Sequence, residues 1–236
     1  MMRYKPLFYF FGVITAIWLL RSAFAGTIGV YSFLAWNLFL AVIPLTLHST
    51  VLWARSRLSG MVRRIVTVFS AAAWLLFLPN AFYLLTDFMH LNPQALVNKR
   101  DNENHFAIVY ERGDALYILD SLLLVCVTLF GAIVGGIALY QAYRYLRNRF
   151  QKPLRLAIIG AVVCMVAVGV YIGRYGRWNS WDALYRPFDV IADLITSLAD
   201  PATFHRFTIM IVTIVVFQLL CLWAVTYAAS FRKIGD

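Results

Sequence analysis

Six apolar runs, each close to 20 residues long, limit what this chain can fold into more than any other feature. They cover residues 7–25, 30–53, 65–88, 114–142, 156–174 and 207–230. A hydrocarbon core about 30 Å thick needs about 20 residues of helix at a 1.5 Å rise. Backbone in lipid has no water to bond, so each run must close its own hydrogen bonds as a helix. The expectation is an all-α fold: a polytopic transmembrane helical bundle of about six spans, one integral membrane domain over residues 1–236. Composition agrees, with 62% hydrophobic and 14% charged residues, where soluble domains are roughly half apolar and a quarter charged. Cys126, Cys164 and Cys221 lie inside the apolar runs without CxxC spacing and read as small hydrophobes.

The net charge of +10 is not spread as a nucleic-acid footprint. Arg3 and Lys5 precede the first run. Arg55, Arg57, Arg63 and Arg64 fall between the second and third, and Arg144, Arg147, Arg149, Lys152 and Arg155 between the fourth and fifth. Arg232 and Lys233 follow the sixth. All four clusters fall on one side, which the positive-inside rule makes cytoplasmic. Both termini are then cytoplasmic, in a cell membrane, with the bilayer rather than nucleic acid as partner. Ten of the eleven acids lie toward the opposite side; Asp236 is the exception. The first run carries Ala23-Phe24-Ala25 like a leader cleavage site, yet reads as a retained helix. Gly131–Gly135 and Gly169–Gly173 are GxxxG spacings, which let helices pack closely; contacts inside the bundle are expected ahead of a homo-oligomer face.

The third run ends in a stretch that should not suit lipid: residues 77–91, FLPNAFYLLTDFMHL. Pro79 has no N–H, so the carbonyl of Leu75 loses its helical partner and a kink is expected. At 100° per residue, Asn80, Tyr83, Asp87 and His90 share an arc of about 80°. Polar groups in a span face the bundle interior or a wet cavity, so this stripe is expected to point inward. Asp87 and His90, at i and i+3, could share a proton or a divalent metal. The fourth run opens with Asp114, Tyr117, Asp120 and Ser121. Asp120 lies deep enough that it must be paired or neutral, and Arg21 is one candidate partner.

After the fifth run comes GRYGRWNSWD, residues 173–182. Arg174 and Arg177 stand outside the membrane against the positive-inside bias, and arginine forks onto carboxylate or phosphate. Trp178 and Trp181 suit either headgroup anchoring or stacking on a ligand. Asn179 and Asp182 complete the cluster. An ion-pair network joining Arg174 and Arg177 to Asp87, Asp114 and Asp182, locking the outer face, is the structural alternative. Residues 187–200 alternate as an amphipathic helix, expected to lie on the outer leaflet.

Three stretches resemble the blocks of an uncharacterised bacterial membrane-protein family, domain of unknown function 1361. They are LAWNLFLAVIP (34–44), WLLFLPNAFYLLTDFMH (74–90) and GRYGRWNSWD (173–182). The resemblance implies a multi-pass membrane protein and brings no activity or catalytic residue with it.

Three functions follow from the residues. One is a polar site at the extracytoplasmic face, acting on or binding an anionic lipid or headgroup. There Asp87, His90 and Asp182 would be catalytic, and Asn80, Tyr83, Asp114, Arg174, Arg177, Trp178, Asn179 and Trp181 would contact the ligand; Asp87 and His90 are also its candidate metal ligands. The second is a small transporter or ion-coupled carrier, which needs polar groups continuing past Asn80. The third is an assembly or scaffold subunit of a membrane complex, whose outer charges would be closed into salt bridges. No HExxH or GxSxG motif marks a reaction.

Overall fold

The structure, a computed structural model, describes residues 5–25, 31–91 and 115–231. Among these residues the regular elements are all helical, with no strand. In chain order they are α1 (Lys5–Ala25), α2 (Phe33–Arg57), α3 (Gly60–Phe77), α4 (Pro79–Tyr83), a 3₁₀ segment (Leu84–His90), α5 (Ala115–Arg147), α6 (Lys152–Tyr175), α7 (Asp182–Tyr185), α8 (Pro187–Leu198) and α9 (Pro201–Phe231). Six stretches are long and apolar enough to cross a membrane: Lys5–Phe24, Phe33–Arg57, Gly60–His90, Ala115–Arg147, Lys152–Tyr175 and Pro201–Phe231. These are the six expected spans.

The helices run further than the apolar runs at their basic ends. α2 continues through Arg57, and α5 through Arg144 and Arg147. Cations near a helix C-terminus oppose its dipole, and long basic stems can lie along the apolar surface. Hydropathy alone therefore stops short of the helix end. The expected amphipathic helix is present as α8, with Pro187 in its first turn and Asp189 at its N-terminal end, both favoured positions.

The chain divides into two compact units. Unit 1 comprises residues up to Phe39 together with Leu84–Gly131; unit 2 comprises Leu40–Tyr83 and Ala132 onward. In unit 1 the core holds Ile14, Leu34, Leu38, Leu84, Leu123, Leu124, Val127 and Phe130. Phe10 and Phe11 approach Phe130 edge-on, at 5.9 and 6.4 Å between centroids. Thr128 Oγ1 donates to the Leu84 carbonyl at 3.2 Å, fixing the 3₁₀ segment on α5.

In unit 2, α9 packs along α6, and α4 packs against α6. The glycines explain how closely. A Cβ at Gly135 would lie 2.5 Å from the Phe82 ring, and one at Gly169 would lie 2.7 Å from Pro79 Cγ. Gly135 and Gly169 thus serve contacts inside the chain: they receive α4, just after the break in the third span. Gln218, fully buried on α9, donates Nε2 to the Val163 carbonyl of α6 at 3.0 Å.

Candidate functional site

The break at Pro79 organises the polar stretch of the third span. α3 ends at Phe77 and the chain resumes as α4 at Pro79, as the missing N–H requires. Asn80 Nδ2 donates to the Phe77 carbonyl at 3.0 Å and to Ser180 Oγ at 3.0 Å. One amide thus satisfies backbone beside the break and ties it to the segment after α6. From Leu84 the helix tightens to 3₁₀, so the α-helical step of 100° stops at Tyr83.

The predicted stripe is accordingly divided. Asp87 and His90 belong to unit 1. Asp87 is 1% exposed, with Asn37 Nδ2 3.5 Å from its carboxylate, and the His90 ring lies 4.8 Å from that of Phe33. Asn80 and Tyr83 belong to unit 2, where Arg174 Nη1 approaches the Tyr83 hydroxyl at 3.4 Å and the guanidinium lies 5.8 Å from the ring centre. Asp114 lies outside the described residues. Among those described, no group of three or more His, Cys, Asp or Glu residues could hold a metal ion.

The deep carboxylate of unit 1 has the partner the sequence suggested. Arg21 Nε meets Asp120 Oδ1 at 2.8 Å and Nη2 meets Oδ2 at 3.3 Å, with the side chains 2% and 0% exposed. The Tyr31 ring lies 5.5 Å from the guanidinium carbon. A forked, desolvated pair of this kind orders the site it occupies.

In unit 2 the segment after α6 builds a cavity. Gly176 has no Cβ, and one placed there would lie 2.6 Å from Trp178 Cδ1. Arg177 takes the left-handed conformation at φ 55°, turning the chain so that the Trp178 indole returns over the end of α6. Trp178 Nε1 donates to Asp193 Oδ2 of α8 at 2.8 Å, and the Arg186 guanidinium lies 5.2 Å from the Trp178 ring. Under this latch is a cavity of about 320 Å³. Tyr171 and Tyr175 of α6, Asp193 and Ser197 of α8, and Arg206 of α9 line it with Trp178. Arg206 has no carboxylate within ion-pair distance among the described residues.

The remaining predicted residues are placed as follows. Asp182 accepts the Asn179 N–H at 2.6 Å, closing the turn into α7, and Trp181 stands just before that helix. Arg177 is exposed. Among the described residues, Trp178 is the one predicted ligand residue that lines the cavity. Sequence reasoning missed Arg206, Ser197 and the Tyr171/Tyr175 pair, and treated Asp193 only as part of the polar face of α8. One signal was present: Arg206, like Arg174 and Arg177, is a cation at the acid-rich ends of the spans.

At the floor of α8, Asp200 Oδ2 accepts the Thr203 hydroxyl at 2.7 Å and the Thr203 N–H at 2.8 Å, capping α9. These two bonds, the hydroxyl first, hold the Asp200 carboxyl below its ordinary value of 3.8, with smaller help from the Ala202 N–H and the Arg206 charge.

Residues 36–221 match the family described as "Protein of unknown function (DUF1361)". No curated protein and no solved structure matches the chain.

Proposed function

The chain belongs to this family of unknown function, and from that premise we propose that it binds the anionic, hydroxyl-bearing headgroup of an amphiphile in an extracytoplasmic cavity. The observation that carries this reading is the 320 Å³ cavity under the Trp178–Asp193 latch, with Arg206 in its wall. A guanidinium with no carboxylate in ion-pair range among the described residues can fork onto phosphate or carboxylate. The hydroxyls of Tyr171, Tyr175 and Ser197 and the flat Trp178 indole suit a polyol headgroup. Phe188, Ile191 and Ile195 of α8 are 84%, 53% and 65% exposed, an apolar flank along which acyl chains can lie. The arginine clusters at the other ends of the spans support this side, with both termini in the cytoplasm, by the positive-inside rule.

The other two readings draw less support. A carrier needs a polar route through unit 2, whose buried polar side chains are Ser70, Arg155 and Gln218. A closed structural network needs Asp182 and Arg177 joined, but Asp182 caps its own turn and Arg177 stands exposed without an ion-pair partner among the described residues.

The test uses full-length protein with Cys126, Cys164 and Cys221 replaced by alanine and Ser197→Cys added. A membrane-impermeant maleimide applied to intact cells labels Cys at position 197 if the cavity opens outward. In nanodiscs, phosphatidylglycerol slows that labelling several-fold relative to phosphatidylcholine, and Arg206→Gln removes the protection. Labelling only after permeabilisation overturns the side; equal rates in the two lipids overturn the headgroup.

A further inference from the structure

Unit 2 has a second cavity, of about 410 Å³, lined by Arg55, Arg63, Arg64, Arg149, Thr67 and Tyr145 among others. It lies at the opposite end of α6 from the first: Arg149 precedes the helix at Lys152, whereas Tyr175 closes it. We propose that this cavity is a cytoplasmic-face site for a multiply charged phosphoryl group, as carried by an anionic lipid headgroup with two phosphates. It is independent of the outer cavity.

Orientation in a bilayer needs basic residues in the connections, not their convergence on one cavity. Here four guanidiniums from three parts of the chain converge. Two of them share one ring: Arg149 lies 4.3 Å and Arg55 5.4 Å from the centre of Tyr145. None of the four has a carboxylate within ion-pair distance among the described residues. Like charges held together repel, and a bound polyanion relieves that repulsion. The backbone adds to the field. Arg63, Arg64 and Thr67 lie on the first two turns of α3, whose N-terminal turn carries no acid and whose Ser59 makes no side-chain cap bond. The positive end of that helix dipole is left for an anion. Basic pockets between spans on the cytoplasmic side are where such headgroups bind.

Native mass spectrometry of the detergent-solubilised full chain tests this, with cardiolipin, phosphatidylglycerol and inorganic pyrophosphate as separate probes. Cardiolipin should stay bound at collision energies that strip phosphatidylglycerol. The pair Arg63→Gln/Arg64→Gln should lower its occupancy at least tenfold. The pair Arg57→Gln/Arg147→Gln removes the same charge away from the cavity and should change occupancy less than twofold. Retention of cardiolipin without competition by pyrophosphate assigns the phosphoryl group to lipid; competition at equal concentration assigns it to a free ligand. Equal losses from the two variant pairs, or retention of neither probe, overturn the site.

Discussion

Arg21 of unit 1 and Arg206 of unit 2 are both arginines in membrane-spanning helices, and they meet opposite surroundings. Arg21 is 2% exposed and forked onto Asp120; Arg206 lines an open cavity with no carboxylate in ion-pair range among the described residues. A charge buried with its partner is committed to the fold, since separating the two leaves an uncompensated ion in a medium of low dielectric. A charge on a wet cavity wall keeps its donors for a ligand. The difference separates the polar residues of this protein into those that hold it together and those that can recognise something.

The largest expected effect breaks the buried pair. Asp120→Ala should destabilise unit 1 by about 3–5 kcal/mol, whereas the double variant Arg21→Met/Asp120→Leu should recover most of that loss. Denaturant unfolding in mixed micelles measures both; a single variant within 1 kcal/mol of wild type, on the order of a surface pair, would place Arg21 and Asp120 with the exposed charges instead. Next comes the cavity wall. Arg206→Gln should weaken phosphatidylglycerol binding by about tenfold or more, the scale of a lost charged hydrogen bond of about 1.5–3 kcal/mol. Stability should shift by less than about 0.5 kcal/mol. If the variant unfolds as readily as Asp120→Ala, the contrast between the two arginines fails.

A smaller effect is expected at the latch. Trp178→Phe keeps the ring and removes the N–H that Asp193 accepts, which should raise the labelling rate of Cys at position 197 about threefold to tenfold, the scale of a hydrogen bond of about 0.5–1.5 kcal/mol. An unchanged rate would show that α8 is held by its apolar contacts alone. The smallest effect concerns pH. Asp200 has a lowered folded value, so its cap is fully present above its ordinary 3.8 and is lost as pH falls through the lower folded value. Hydrogen exchange at the Thr203 amide should therefore accelerate, beyond its intrinsic pH dependence, only below pH 3.8. Asp200→Asn should abolish this dependence.

Much of this was legible from residue types. Apolar runs of span length give six helices because lipid leaves backbone no other partner. Asp120 could be matched with Arg21 because a deep carboxylate requires a cation, and Arg21 lies inside an apolar run near the same end of its span. The stripe in residues 77–91 was legible only in part. The break at Pro79 was expected, but the periodicity assumed an α-helical step through to His90, and the chain tightens to 3₁₀ at Leu84. Asn80, the residue that looked most out of place, repairs the break and anchors Ser180. Of the polar-aromatic segment at 173–182, Tyr175, Gly176 and Trp178 line the cavity and the other residues do not.

Six membrane-length helical stretches and the uneven distribution of charge follow from residue types, because they depend on short-range chemistry and on the thickness of a bilayer. The tertiary structure alone decided which charges are paired and which are open. Arg21 and Asp120 are 99 residues apart in the chain, and Trp178 meets Asp193 through a turn set by Gly176 and Arg177. Such partners are chosen by packing, where a missing Cβ at Gly135, Gly169 or Gly176 fixes how near two segments can come. That distance leaves no mark in the periodicity of a single helix.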